Sequence, residues 1–169
     1  GEVKNLVLSG TSSLSLMLPQ YWNDDADGGW GWHAPQRGAT KYEMLYIDGM
    51  NIGRGFNVIY DQSFLWHNQA ELSYPLVSQV VALEAFASAT GVAQELGDLS
   101  KFSDINWYFA AGAGIKMQIP GFPLGLYLVK NATINETNGF AWDSGFIFHS
   151  NDKPGSGLKL VLAITTSLF

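Results

Sequence analysis

The residue in this chain best placed to do chemistry is an arginine held between two glycines. Residues 45–56 read LYIDGMNIGRGF, so Arg54 is flanked by Gly53 and Gly55 and followed by the aromatic Phe56. Glycine adopts backbone conformations that other residues resist, so this tip can project a guanidinium from a tight bend. Two readings of it stand side by side: a surface turn with a solvated arginine, or a cation presented to a partner elsewhere in the fold. The remaining reactive side chains do not assemble into a recognisable centre. His33, His67 and His149 are far apart, and none stands near a serine or an acid at triad or metal-ligand spacing, so no enzyme is expected. His67 beside a strand start and His149 in a loop are expected at an interface or in solvent. Asp24, Asp25 and Asp27 resemble half of a calcium loop but lack its glycine and terminal glutamate spacing. Gly112 and Gly114 fall inside a strand pattern and make no phosphate-binding fingerprint. Cysteine is absent, which rules out disulfides and thiolate metal sites. No metal and no cofactor are expected.

Composition indicates what kind of scaffold carries the arginine. Of the 169 residues 47% are hydrophobic and 14% aromatic, but only 14% are charged, whereas a soluble domain carries about 25% charged residues. Such a chain has little surface suited to water. No run of eighteen apolar residues occurs, which argues against a transmembrane helix. The other way to cross a bilayer is a closed β-barrel, because lipid leaves no backbone group unpaired at low cost. A net charge of −6 disfavours nucleic acid as a partner. The chain begins at Gly1 with no leader pattern and reads as a mature protein or an excised piece.

Hydrophobic alternation supplies the strands. Residues 5–18 place Leu6, Leu8, Leu14, Leu16 and Leu18 on one parity and small polar residues on the other. Residues 67–76 set Gln69, Glu71 and Ser73 against Ala70, Leu72 and Tyr74, with Pro75 expected to close the strand. Residues 80–90 set Glu84, Phe86, Ser88 and Thr90 against a uniformly apolar face. Residues 105–119 form a long strand, 124–130 a shorter one with alternating leucines, and 158–169 the last. Between them lie a connection over 19–66, a polar loop over 91–104 with Gly91 as a breaker, and an excursion over 131–157. Within that excursion, 140–149 reads as a strand or a loop arm. Asn131 and Asn135 each head a glycosylation triplet, a pattern frequent by chance.

The fold expected is all-β: an antiparallel transmembrane β-barrel occupying residues 1–169 as a single domain or barrel fragment, with six to eight strands. Short turns at one end and long loops at the other are the signature of an outer-membrane barrel, so the expected location is the bacterial outer membrane. Six strands cannot enclose a lumen, and eight is about the smallest common barrel. The chain is therefore expected to be a piece of a larger protein or to close with partners or further strands.

Taken in order, these pieces resemble the C-terminal barrel region of the BamA superfamily, outer-membrane proteins that insert or translocate other β-proteins. Residues 45–56 resemble the family's loop segment, and 69–75 (QAELSYP) its next strand with an inward glutamate. Residues 86–91 (FASATG), 110–115 (AAGAGI) and 123–127 (PLGLY) resemble the strands that follow, and a terminal strand ending in Phe169 completes the set. The likeness spans nearly the whole chain. It implies a barrel of sixteen strands, preceded by periplasmic repeat domains that are not in this sequence. It also implies that Arg54 folds into the lumen and pairs with acids on the inner wall. Glu71 matches the family's acidic position. The second family acid corresponds to Ser88, a departure, for which Glu84 on the same face is the candidate substitute. Outer-membrane strands end in an aromatic with an apolar residue two before it. Phe169 fits and Ser167 does not, while Leu160, Leu162, Ile164 and Leu168 share the opposite parity; a bulge over 165–167 would reconcile the two.

The function so implied is assembly: client strands pair with the edge of the final strand at a barrel seam. The expected partners are outer-membrane protein clients, the lipid bilayer, and periplasmic repeat domains or accessory lipoproteins. Two alternatives are a passive porin-like or structural barrel, and a soluble β-sandwich module using Trp22, Trp30 and Trp32 as an aromatic platform.

Overall fold

The computed structural model describes residues 5–24, 29–33, 44–77, 80–119, 122–136, 139–143 and 157–164. These form an all-β, antiparallel structure. In chain order the strands are β1 (Val7–Leu16), β2 (Gln20–Asp24), β3 (Gly29–His33), β4 (Leu45–Ile47), β5 (Ile59–Gln62), β6 (Phe64–Val77), β7 (Val81–Ala93), β8 (Asn106–Ile119), β9 (Phe122–Asn135), β10 (Gly139–Trp142) and β11 (Leu158–Ile164). Two short 3-10 helices, Leu96–Ser100 and Phe102–Asp104, bridge β7 and β8. No helix among the described residues is long and apolar enough to cross a membrane.

One large sheet runs β1-β6-β7-β8-β9, and β10 and β11 both pair with β9. It is an open sheet and not a closed barrel among the described residues: β1 lies at one margin, and β10 with β11 at the other. The last rung is a single strand position occupied twice. Trp142 pairs with Ala132, Leu158 pairs with Lys130, and the Asp143 amide still bonds the Asn131 carbonyl at 3.0 Å. Pairing stops after β10 and resumes at β11 in the same register.

Ladder register assigns the faces. Leu72, Ala85, Ala113, Leu128 and Leu160 are successive partners across the sheet, and so are Ser73, Glu84, Gly114 and Tyr127. The first row belongs to a face on which large apolar side chains stand exposed: Leu8, Leu14, Leu72, Leu83, Ile115, Leu126, Leu128, Leu160 and Leu162. The second belongs to a face that is buried and carries most of the polar groups. The alternation expected from the sequence is therefore the alternation of the fold, with the greasy parity outward. Along the strands the outward face changes character. Trp66, Trp107, Phe109, Phe140 and Trp142 gather towards the long-loop end, with Trp66 and Trp107 packed edge to face at 5.8 Å, and the leucines of β6, β7 and β9 lie nearer the short turns, while Leu14 of β1 stands beside Trp66.

Several strand limits differ from expectation, each for a local reason. β6 runs through Pro75 to Val77, with a register irregularity between those two residues. Pro75 lies past the last β1 pair, Val7 with Ser73, at a margin where a missing N–H is tolerated. β7 continues to Ala93 through Gly91, which does not break it. A side chain at Gly91 would meet the Trp107 indole at 3.2 Å, so this glycine makes room for an aromatic ring. β9 extends through Asn131 to Asn135 and removes the first residues from the supposed 131–157 excursion. The 19–66 connection is not one irregular loop, for it holds the small antiparallel pairs β2–β3 and β4–β5. Residues 140–142 are strand, whereas 144–149 lie outside the described residues.

The β4–β5 segment lies against the polar face of the sheet. Ile47, fully buried, packs on Leu65 of β6 and Val92 of β7, joined by Ile52, Phe56 and Tyr108. Phe56 also packs on a second cluster formed by Phe86, Ala110, Tyr127, Val129, Val161 and Ala163. The tip bearing Arg54 is thereby pressed into the sheet.

Candidate functional site

The tip is built by its own backbone. The Asp48 carboxylate accepts hydrogen bonds from the amides of Met50, Asn51 and Ile52, each at 2.8 Å. The Gly55 amide donates to the Gly49 carbonyl at 2.9 Å, and the Phe56 amide to the Gly53 carbonyl at 3.1 Å. Gly49, Gly53 and Gly55 all have positive φ, a region that disfavours a side chain. Space forbids one as well. A Cβ at Gly53 would lie 2.6 Å from Ile47 Cγ2, and one at Gly55 2.6 Å from Asn131 Oδ1. The glycine bracket read from the sequence is required on both counts.

Arg54, only 2% exposed, points at the polar face of the sheet. Its Nη2 lies 3.1 Å from Glu71 Oε1 on β6, and its Nη1 lies 3.5 Å from Glu84 Oε1 on β7. Its Nε donates to the Met50 carbonyl at 3.1 Å. The guanidinium carbon sits 4.5 Å from the ring centres of both Phe86 and Tyr127, two rings that meet edge to face. A planar cation between aromatic faces and opposite carboxylates uses each of the properties that separate arginine from lysine.

Glu84 is the more deeply committed acid. It is buried, and it accepts a hydrogen bond from the Tyr127 hydroxyl at 2.8 Å and one from the Ser73 hydroxyl at 3.3 Å. Lys116 Nζ on β8 approaches its second oxygen at 3.4 Å. Glu71 is shared with the Gln69 side-chain amide. The cluster holds two cations, Arg54 and Lys116, and two carboxylates, so no net charge is buried. Balance matters here, since an unpaired charge in such a place is strongly unfavourable. The glycines of β8 make room for the rings. A Cβ at Gly112 would lie 3.0 Å from the Phe86 ring, and one at Gly114 2.7 Å from the Tyr127 ring.

The structure therefore brings together Gly53, Arg54, Gly55, Phe56, Glu71 and Glu84. Ser88 takes no part: its hydroxyl faces the Ala110 carbonyl at 3.5 Å. Sequence reasoning missed Tyr127, Ser73, Lys116 and Asn131, whose side-chain amide donates to the Arg54 carbonyl at 2.8 Å. Inward parity marked the first three; Asn131 was marked only as the head of a glycosylation triplet in a supposed loop, and it is fully buried. Leu160, Leu162 and Ile164 stand on the outward face of β11, away from this cluster, and Leu168 and Phe169 lie outside the described residues. His67 is not solvated, as it is buried on β6 with its Nδ1 2.8 Å from the Thr90 hydroxyl. Tyr21, Trp30 and Trp32 share one exposed face of the β2–β3 pair, with Tyr21 stacked on Trp30. Trp22 pairs with Gly31 on the backbone. Among the described residues no group of three or more histidines and acids could hold a metal ion.

The arrangement is suited to holding the loop tip. The open volume beside the tip, lined by Met50, Phe56 and Lys159 among others, is shallow, and the charged groups are consumed by one another. Compared with known proteins, the chain matches no family model, no curated protein and no solved structure.

Proposed function

We propose that this chain is the C-terminal part of a transmembrane barrel of the bacterial outer membrane, similar to the BamA superfamily, that inserts or folds client β-barrel proteins. The observation that carries the reading is the Arg54 clamp. A long loop returns into the polar face of an outward-greasy sheet and buries a guanidinium between two carboxylates. A soluble domain has no need to expose leucines along one whole face. A bilayer accepts them, and an outward aromatic band beyond the leucines suits its interface. The open sheet fits a segment of a larger barrel whose remaining strands adjoin β1. In this reading no covalent chemistry occurs. The loop braces the wall, β11 lies at the seam, and client strands add to the exposed edge by main-chain pairing. Clients, bilayer and periplasmic repeat domains or accessory lipoproteins are the partners.

The test is client insertion by the full barrel in lipid vesicles. Arg54→Glu, which gathers three carboxylates, is expected to abolish insertion, and adding Glu71→Arg is expected to restore part of it. Insertion at the normal rate by Arg54→Ala would sink the reading. A passive barrel would instead conduct ions in single-channel recordings and insert no client.

A further inference from the structure

The clamp accounts for the side chain of Arg54 but not for the backbone that carries it. Two consecutive carbonyls of the tip are held from the opposite side. Asn131 on β9 donates to the Arg54 carbonyl, and Lys159 on β11 donates from Nζ to the Gly55 carbonyl at 2.8 Å. Lys159 also pairs with the Asp143 carboxylate, just past the end of β10, and its Nζ lies 5.6 Å from the centre of the Phe56 ring. It faces inward, since its register partner is the fully buried Val129. One ammonium group therefore touches the loop tip and both halves of the split last rung.

We propose that Lys159 is a latch: a positioning residue that fastens the edge strand β11 to the Arg54 loop and closes the break between β10 and β11. Among the described residues β11 has one ladder, the pairing of Leu158–Ile164 with β9. Its inward Val161 and Ala163 pack in the cluster that includes Phe56. Lys159 adds a hydrogen bond between β11 and the loop, and it does so at the turn into the strand after the break. Gly157 shows how tightly that turn is fitted. It has φ +66°, and a Cβ there would lie 2.4 Å from the Asp143 carbonyl oxygen. With the latch made, loop and edge form one body. With it released, β11 frays from the break inward, while Arg54 stays clamped to β6 and β7. This proposal rests on the assembly reading for its purpose, the controlled exposure of a seam strand, but its geometry is independent of that purpose.

Hydrogen exchange followed by mass spectrometry on the full barrel in lipid nanodiscs tests it. Lys159→Met keeps the aliphatic stem and removes the cation. Amides of Leu158–Ile164 are expected to exchange about tenfold faster, the scale of one lost hydrogen bond from a charged donor, while β6 and β7 amides keep their rates. Lys159→Arg is expected to restore protection, and Asp143→Asn to lose a smaller part of it. Unchanged β11 exchange in Lys159→Met overturns the latch, and so does equal acceleration across β6, β7 and β11, which would mark a merely structural loss. The two readings fail separately. If Lys159→Met loosens β11 while Arg54→Glu leaves client insertion intact, the latch stands and the assembly reading falls. If Arg54→Glu abolishes insertion while β11 exchange never changes, the latch falls alone.

Discussion

The two faces of the large sheet obey opposite rules. Within one strand, Leu83 stands exposed among apolar neighbours and Glu84, the next residue, is buried with four polar partners. The same holds on β9 for Leu126 and Tyr127. On the outward face the side chains are interchangeable greasy units, and no specific contact is needed beyond a suitable solvent. On the inward face each group is specified by another: arginine by two acids, an acid by a tyrosine, two rings by two glycines. Burial alone does not distinguish a core from a lumen. Here the inward side is polar because it must receive a loop, and the outward side is apolar because something other than water is expected to cover it.

Five substitutions probe that contrast, with unfolding by urea in lipid vesicles and tryptophan fluorescence as the measurement. The largest effect is expected at Glu84→Ala, which leaves Arg54 and Lys116 short of a carboxylate and costs about 3–5 kcal/mol. Leu83→Ala beside it should change stability by less than about 1 kcal/mol, and equal losses at the two positions would erase the difference between the faces. Next comes Leu126→Lys, a charge placed on the outward face, with a penalty of about 2–4 kcal/mol if that face meets the bilayer interior. A neutral result would show that water covers it. Tyr127→Phe keeps the ring against the guanidinium and removes only the hydroxyl bond to Glu84, a loss of about 1.5–3 kcal/mol. The smallest loss on the inward side is expected at Gly55→Ala, a left-handed position worth about 1–2 kcal/mol, read best as displacement of the loop from Asn131. If Gly55→Ala proves neutral, the tip does not need the fitted geometry described above.

How far these rules could be read in advance depended on which face was involved. The outward rows were legible because period-two alternation is a property of neighbours in sequence, as in Leu124, Leu126 and Leu128. The inward parity of Glu71 and Glu84 was legible for the same reason, and the glycine bracket identified Arg54. Partnership was harder, because it joins residues from distant strands. Glu84 could be proposed only as a substitute for an acid expected at Ser88, and Tyr127 was just an inward residue until ladder register set it beside Gly114 and Glu84. Asn131 was taken for loop and noted only as the head of a glycosylation triplet, yet here it is fully buried and holds a carbonyl of the tip. Gly91 was read as a breaker, although its lack of a side chain admits an indole. The small pairs β2–β3 and β4–β5 are too short to impose a period.

The split last rung carries a consequence for how such a sheet can change over generations. A single residue, Asn131, separates Ala132 from Lys130 on β9, whereas residues 143–157 separate their partners, Trp142 and Leu158. Both partners face outward, so the added length leaves the alternation on each side in phase. A chain that passed directly from Asp143 to Leu158 would keep every side chain of β11 on its present face. The interruption is thus a cassette: a place where sequence can be lengthened, shortened or exchanged, for instance for an epitope tag, without rewriting the wall it interrupts.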